Sequence, residues 1–254
     1  MLSIQNTSTL VLTSALLFGC GGAGESGSPE HDQIATGVGA LMADSSGGQR
    51  VTFADAVFAL RGTLGTGLSL DSPGVVTGQR GEMKLKYEFT CKDASDAVVA
   101  TCPTAASADV KVEWKGKIDD TRYKLEIDRK GDWKIVGLTS EVATADGHTS
   151  YSVKSDFKDK SEDLRYKYDF DFDTKYRAVQ IRLSDGALVG GTADFDLDAK
   201  QKSEDGMTVL KTHTKMRTIV EFTPEGEALI SLESKFKYKL DLGNGEVTFE
   251  EKIE

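Results

Sequence analysis

Strict alternation of apolar and polar residues is the feature that most constrains this chain. From residue 82 onward apolar side chains recur at every second position, as in MKLKYEF (83–89), RYKYDFDF (165–172) and FKYKL (236–240). A period of two places alternate side chains on opposite faces of a β-strand. Each run therefore predicts an antiparallel strand with one buried face and one face in water.

Turn signals between the runs predict how the strands connect. The pairs Asp146-Gly147, Asp185-Gly186, Asp205-Gly206 and Asn244-Gly245 are typical of hairpins. Short connections make sequence neighbours pair in space, which predicts a meander of about a dozen antiparallel strands. An open sheet of that size would expose its apolar face, so we expect an all-β domain curled into a barrel or half-barrel.

One short helix is predicted in front of the strands, at about residues 53–61 (FADAVFALR). Thr52 is a suitable N-cap with Asp55 at the third helical position, and Gly62 is a suitable stop. Nearly every side of this helix is apolar, so it should be buried. We favour ordinary packing against the sheet; the other interpretation is a lid over a hydrophobic cavity.

The only markedly apolar run, LVLTSALLFG (10–19), lies near the amino terminus. Ten helical residues rise about 15 Å, half the thickness of a bilayer core, so the run predicts a signal peptide and not a membrane span. It leads into Leu17-Phe18-Gly19-Cys20, which resembles the lipobox of bacterial lipoproteins. The resemblance implies cleavage before Cys20 and acyl chains on Cys20 that anchor the protein to a membrane. Gly21, where inner-membrane lipoproteins of enteric bacteria often carry Asp, favours the outer membrane by the same resemblance.

The cysteine count agrees with that interpretation. The chain has three cysteines, and an odd count in an exported protein leaves one unpaired. If Cys20 carries lipid, Cys91 and Cys102 remain, and we expect a structural disulfide between them. The alternatives are two free thiols or a metal pair, and zinc is disfavoured because no further Cys or His lies nearby.

Three segments follow from these features. Residues 1–19 are a signal peptide, residues 20–50 an acylated cysteine with a flexible Gly- and Ser-rich tether, and residues 51–254 a single β domain. Residues 35–43 are compatible with a short helix inside the tether, but no capping signal fixes its ends.

Charge and motifs exclude several function classes. Lys plus Arg number 31 and Asp plus Glu 41, and the net charge of −10 argues against nucleic-acid binding. The sequence has no nucleophile elbow, phosphate-binding loop or dinucleotide fingerprint, and its three histidines share no motif. Asp169, Asp171 and Asp173, and likewise the trio at 194, 196 and 198, lack the Gly and Glu that a calcium loop needs. They alternate with apolar residues, which indicates solvated strand faces, so we predict no catalytic residue, metal or cofactor.

Two functions remain. The first is a lipid-anchored cell-envelope lipoprotein with a non-catalytic structural or interaction domain, held at the membrane through Cys20. The alternative is a carrier of lipids or other apolar ligands, similar in outline to lipoprotein carriers of the Lol type, which have a curled sheet covered by apolar helices. In a carrier, Phe58, Leu60, Tyr168 and Tyr238 would line the cavity.

Overall fold

The computed structural model describes residues 29–43, 48–80, 82–119, 123–159, 164–204 and 209–253. Two helices, α1 (Pro29–Met42) and α2 (Gln49–Leu60), precede the strands. The strands are β1 (Leu68–Ser72), β2 (Val75–Arg80), β3 (Met83–Lys92), β4 (Ser107–Asp119), β5 (Tyr123–Val136), β6 (Val142–Asp159), β7 (Leu164–Arg182), β8 (Leu188–Glu204), β9 (Val209–Phe222), β10 (Glu227–Leu232), β11 (Phe236–Asp241) and β12 (Val247–Lys252).

The twelve strands of the described residues form one antiparallel sheet in which every strand pairs with its sequence neighbours, from β1 to β12. This confirms the predicted all-β meander. Within the described ranges β1 and β12 are its two free edges, so the sheet is open and corresponds to a half-barrel. The central strands β4 to β9 have 13 to 19 residues each and are longer than the strands at either edge.

Two of the hairpin glycines are confirmed and one is reassigned. Gly186 and Gly245 lie in turns with positive φ, at 71° and 81°. Asp146-Gly147, however, lies inside β6 at a register irregularity. A Cβ on Gly147 would stand 2.8 Å from the Cα of Trp133, so a close backbone approach at a bulge requires this glycine, and the hairpin prediction was wrong. Asp205-Gly206 lies outside the described residues.

Helix α2 packs against the apolar face of the sheet. Phe53 stacks on Trp133 of β5, with ring centroids 4.3 Å apart, and meets Tyr176 of β7 edge-on at 5.0 Å. The helix was predicted at about residues 53–61, and it begins four residues earlier, at Gln49. Gly48 is the N-cap residue, and the Thr52 hydroxyl donates to the Gly48 carbonyl at 3.0 Å from inside the helix.

Helix α1 corrects the predicted tether. Residues 20–50 were expected to be flexible, and the small residues of this stretch motivated that expectation. In the structure Pro29–Met42 is helical, and Ala35, Val38 and Met42 are fully buried in the same core as α2. Small side chains let this helix approach the sheet closely. The rest of the predicted amino-terminal segment, residues 1–28 with Cys20, lies outside the described residues.

The predicted disulfide is confirmed. Cys91, at the end of β3, bonds Cys102, which opens a short 3₁₀ turn, and their Cα atoms are 5.3 Å apart. Closing a loop of this size contributes about 3 kcal/mol by the chain-entropy model.

Two glycines of α1 test its docking on the sheet. A Cβ on Gly39 would stand 2.6 Å from Val247 Cγ2, whereas one on Gly37 meets open space. Alanine raises helix propensity at both sites, so we expect Gly37→Ala to increase the free energy of unfolding by up to about 1 kcal/mol. Overpacking should make Gly39→Ala lower it by about 1–3 kcal/mol. Equal effects of the two changes in urea denaturation would contradict the docking.

Candidate functional site

An ion pair between buried Asp55 and partly exposed Arg80 joins α2 to the edge region of the sheet. The Arg80 guanidinium donates to both carboxylate oxygens of Asp55, at 2.8 and 2.7 Å. The Tyr87 hydroxyl donates to Asp55 at 3.2 Å and accepts from Trp114 Nε1 at 3.2 Å. Asp55 is only 5% exposed, so this cluster fixes α2 on β2 and β3 through fully directed hydrogen bonds.

A buried cation, Arg129, holds the first turn of the same helix. Its guanidinium donates to the Thr52 hydroxyl at 2.7 Å and lies 4.8 Å from the Trp114 ring centroid and 4.9 Å from that of Tyr151. The residue is 2% exposed, and cation–π contacts of a desolvated guanidinium are among the stronger ones. Sequence reasoning missed Arg129. The sequence feature that could have identified it is an arginine in phase with Ile127 and Trp133, the inward-facing residues of β5.

The tyrosines of this interior are neutral phenols at neutral pH. Burial raises the pKa of Tyr87 well above its usual value, and the negative charge of Asp55 adds to the effect. Burial also raises the pKa of Tyr151 and of Tyr176. A raised folded-state pKa favours the neutral form, so this contribution to stability is complete below about pH 10 and is lost as the pH rises further. The cluster therefore stabilises the fold and offers no phenolate base.

The predicted apolar lining residues contact other parts of the protein. Leu60 is 1% exposed, and Phe58 lies beside the turn at Gly186. Tyr238 of β11 donates to Asp32 of α1 at 2.8 Å, and its ring meets Phe249 at 5.4 Å. Tyr168 of β7 pairs with Ser155 and Gln201 in register, and its side chain lies outside the described part.

The opposite, polar face carries a row of charged residues across six strands. Cross-strand register aligns one position from each of β4 to β9: Lys117, Glu126, Lys154, Asp169, Lys200 and His213. Positive and negative groups alternate over the first five of them, so adjacent strands present complementary charges.

A second row, two positions from the first on each of β5 to β9, is more strongly cationic. It aligns Lys124, Asp156, Lys167, Lys202 and Lys211 across β5 to β9. Both rows line one cavity of about 590 Å³, together with Ser155, Gln201 and Thr212, and we call it the lysine trough. Because residues of β4 and β9 line the same cavity, this face must be concave here. The described residues of its lining include seven lysines and three carboxylates.

Sequence reasoning missed the lysine trough. The available signal was a pair of charged residues two positions apart on each strand, such as Lys200 and Lys202. Such pairs are ordinary on solvated strands. Only the cross-strand register shows that the pairs of neighbouring strands lie next to one another.

The acidic runs behave as solvated strand faces. Asp194 accepts from Arg177 at 2.7 Å and from Arg217 at 3.3 Å. A hydrogen bond from Lys215 lowers the pKa of the Asp198 carboxyl, which also lies 2.8 Å from His213 Nε2. In the part of the chain that the structure describes, no group of three His, Cys, Asp or Glu is arranged to hold a metal ion.

Comparison of the sequence with protein-family models, with curated proteins and with solved structures gives no match. Neither α1 nor α2 has the length and apolar character that a membrane-crossing helix requires.

Removal of one partner tests the Asp55–Arg80 ion pair. Asp55→Ala leaves the Arg80 charge and the Tyr87 hydroxyl without their acceptor, so we expect the free energy of unfolding to fall by about 2–4 kcal/mol. Asp71→Ala, at an exposed acid of β1, should change it by less than about 0.5 kcal/mol. Arg80→Ala combined with Asp55→Ala should cost less than the two single changes added together. Additive losses in urea denaturation would show that the pair is not coupled.

Proposed function

We propose that this chain is a lipid-anchored cell-envelope lipoprotein whose β domain is a non-catalytic interaction module. Acyl chains on Cys20 hold it at the outer membrane, and each buried methylene contributes about 0.8 kcal/mol to the anchor. Residues 21–28 join Cys20 to α1 and span at most about 30 Å when fully extended. The β domain therefore works close to the membrane that holds it.

The supporting observation is that the chain's own helices lie on the apolar face of its sheet. Ala35, Val38 and Met42 of α1 and Phe53 and Val57 of α2 are all buried there. With this face covered from within the chain, a partner meets the polar exterior. The concave part of that exterior is the lysine trough, where convergent charged groups provide directed contacts.

The described lining residues weigh against the apolar-ligand carrier. That function needs Phe58, Leu60, Tyr168 and Tyr238 to surround one cavity. Leu60 is part of the continuous core, and the Tyr238 hydroxyl is bonded to Asp32 of α1. Two polar cross-links, Asp55–Arg80 and Thr52–Arg129, also hold α2 in place, which favours a fixed helix over a lid that opens.

Replacement of Cys20 tests the anchor. Cys20→Ala removes the acylated thiol, so in a temperature-induced detergent phase separation we expect the protein to move from the detergent phase to the aqueous phase. Ser26→Ala, beyond the lipobox, should stay in the detergent phase. If Cys20→Ala partitions like the unaltered protein, the proposed lipid anchor is wrong.

A further inference from the structure

We infer that the lysine trough binds a short acidic oligosaccharide, a sugar chain that carries both carboxylate and hydroxyl groups. This inference rests on the proposed interaction function and names the ligand class of its concave surface. Three properties of the trough support this inference: its local charge, its size, and a buried carboxylate oxygen of Asp169 that has no hydrogen-bond donor among the described residues.

The charge of the trough is opposite to that of the chain. Among the described residues, seven lysines and three carboxylates line it, while the whole chain has a net charge of −10. Lys117, Lys154 and Lys211 make no ion pair within the described residues, and they are distributed over β4, β6 and β9. A concave surface with a surplus of lysines attracts anions to this position although the protein as a whole repels them.

The neighbouring part of the same face confines an anion to the trough. Asp171 lies directly opposite Asp198 across β7 and β8, and Asp173 lies opposite Asp196. These four carboxylates form a negative band next to the lysines. A bound anion is therefore repelled on one side and held where the cationic rows lie.

The size of the cavity fits a small molecule. Its volume of about 590 Å³ lies within the range of roughly 300–1,000 Å³ that is usual for small-molecule sites. The lysines follow six adjacent strands, so the cationic groups lie along a line and not around one point. An elongated ligand with regularly spaced charges matches that arrangement better than a single compact anion.

The carboxylates of the trough decide the ligand class. Asp169 lies between Lys154 and Lys200 in the cross-strand register, and its Oδ1 atom is buried without a hydrogen-bond donor among the described residues. A buried acceptor without a donor is costly. Sulfate and phosphodiester groups bring only further acceptors and would leave Asp169 unsatisfied. A sugar hydroxyl donates a hydrogen bond to Asp169 while the carboxylates of the same chain meet the lysines.

Isothermal titration of the full chain in a non-ionic detergent tests the inference, with tetragalacturonate as the acidic probe and maltotetraose as the neutral one. We expect saturable binding of tetragalacturonate that weakens as salt is added, and much weaker binding of maltotetraose. Lys154→Ala with Lys211→Ala should raise the dissociation constant about tenfold or more. Lys134→Ala, an exposed lysine of β5 outside the trough, should leave it unchanged. No saturable binding at low salt, or equal effects of the two lysine variants, would overturn the inference.

Asp169→Asn separates an oligosaccharide site from a general polyanion site, with tripolyphosphate as the second anionic probe. The unaltered protein should prefer tetragalacturonate, and Asp169→Asn should reduce that preference about tenfold because a charged acceptor is lost. Stronger binding of tripolyphosphate by the unaltered protein, or an unchanged preference in the variant, would contradict the sugar assignment. The partitioning of Cys20→Ala is measured independently, so each of the two proposals, the lipid anchor and the ligand class, can be contradicted without the other.

Discussion

The apolar face of an open twelve-stranded sheet is unfavourable to expose to water, and the rest of this structure depends on how that face is covered. Helices α1 and α2 cover it, and their buried residues belong to one continuous core with the inward side chains of the strands. Aromatic packing of Phe53 on Trp133 and Tyr176 supplies much of the contact under α2. Burial of this kind contributes about 25 cal/mol per Å² of apolar surface removed from water.

Hydrophobic packing alone does not fix the orientation of a helix, and here two polar contacts do so. Asp55 and Arg80 join α2 to β2, and Thr52 and Arg129 join it to β5. Arg80 keeps part of its exposure to water while it donates to both oxygens of Asp55. Arg129 is removed from water, and its contacts with Thr52 and two aromatic rings offset part of that cost, although its Nε has no hydrogen-bond partner among the described residues. The helices thus belong to the folded domain, and the proposed binding surface lies on the outer, polar face of the sheet. The same alternation that buries one face presents charged residues on the other, and curvature gathers them into the lysine trough.

Much of the fold could be predicted from the sequence, because a period of two is a local property that needs no knowledge of register. The Cys91–Cys102 bond followed from counting cysteines once Cys20 was assigned to the lipobox. The ends of helix α1 could not be predicted, because its glycines and alanines are small enough to suggest a linker. The helix is stabilised by its contacts with α2 and with β10, β11 and β12, which are distant in sequence. The turn assigned to Asp146-Gly147 failed because a bulge beside Trp133 and a hairpin both require glycine. The lysine trough depends on register across six strands, which aligns Lys117 with His213 over a long sequence separation.

Hydrogen–deuterium exchange of the full chain, followed by peptide mass analysis, tests most directly that its own helices cover the apolar face. If α1 and α2 are part of the core, amides in Pro29–Met42 and Gln49–Leu60 should exchange as slowly as those of the central strands β5 to β8. Exchange of α1 at the rate of an unstructured segment would contradict this account. It would leave part of the apolar face accessible and make α1 the movable lid that an apolar-ligand carrier requires.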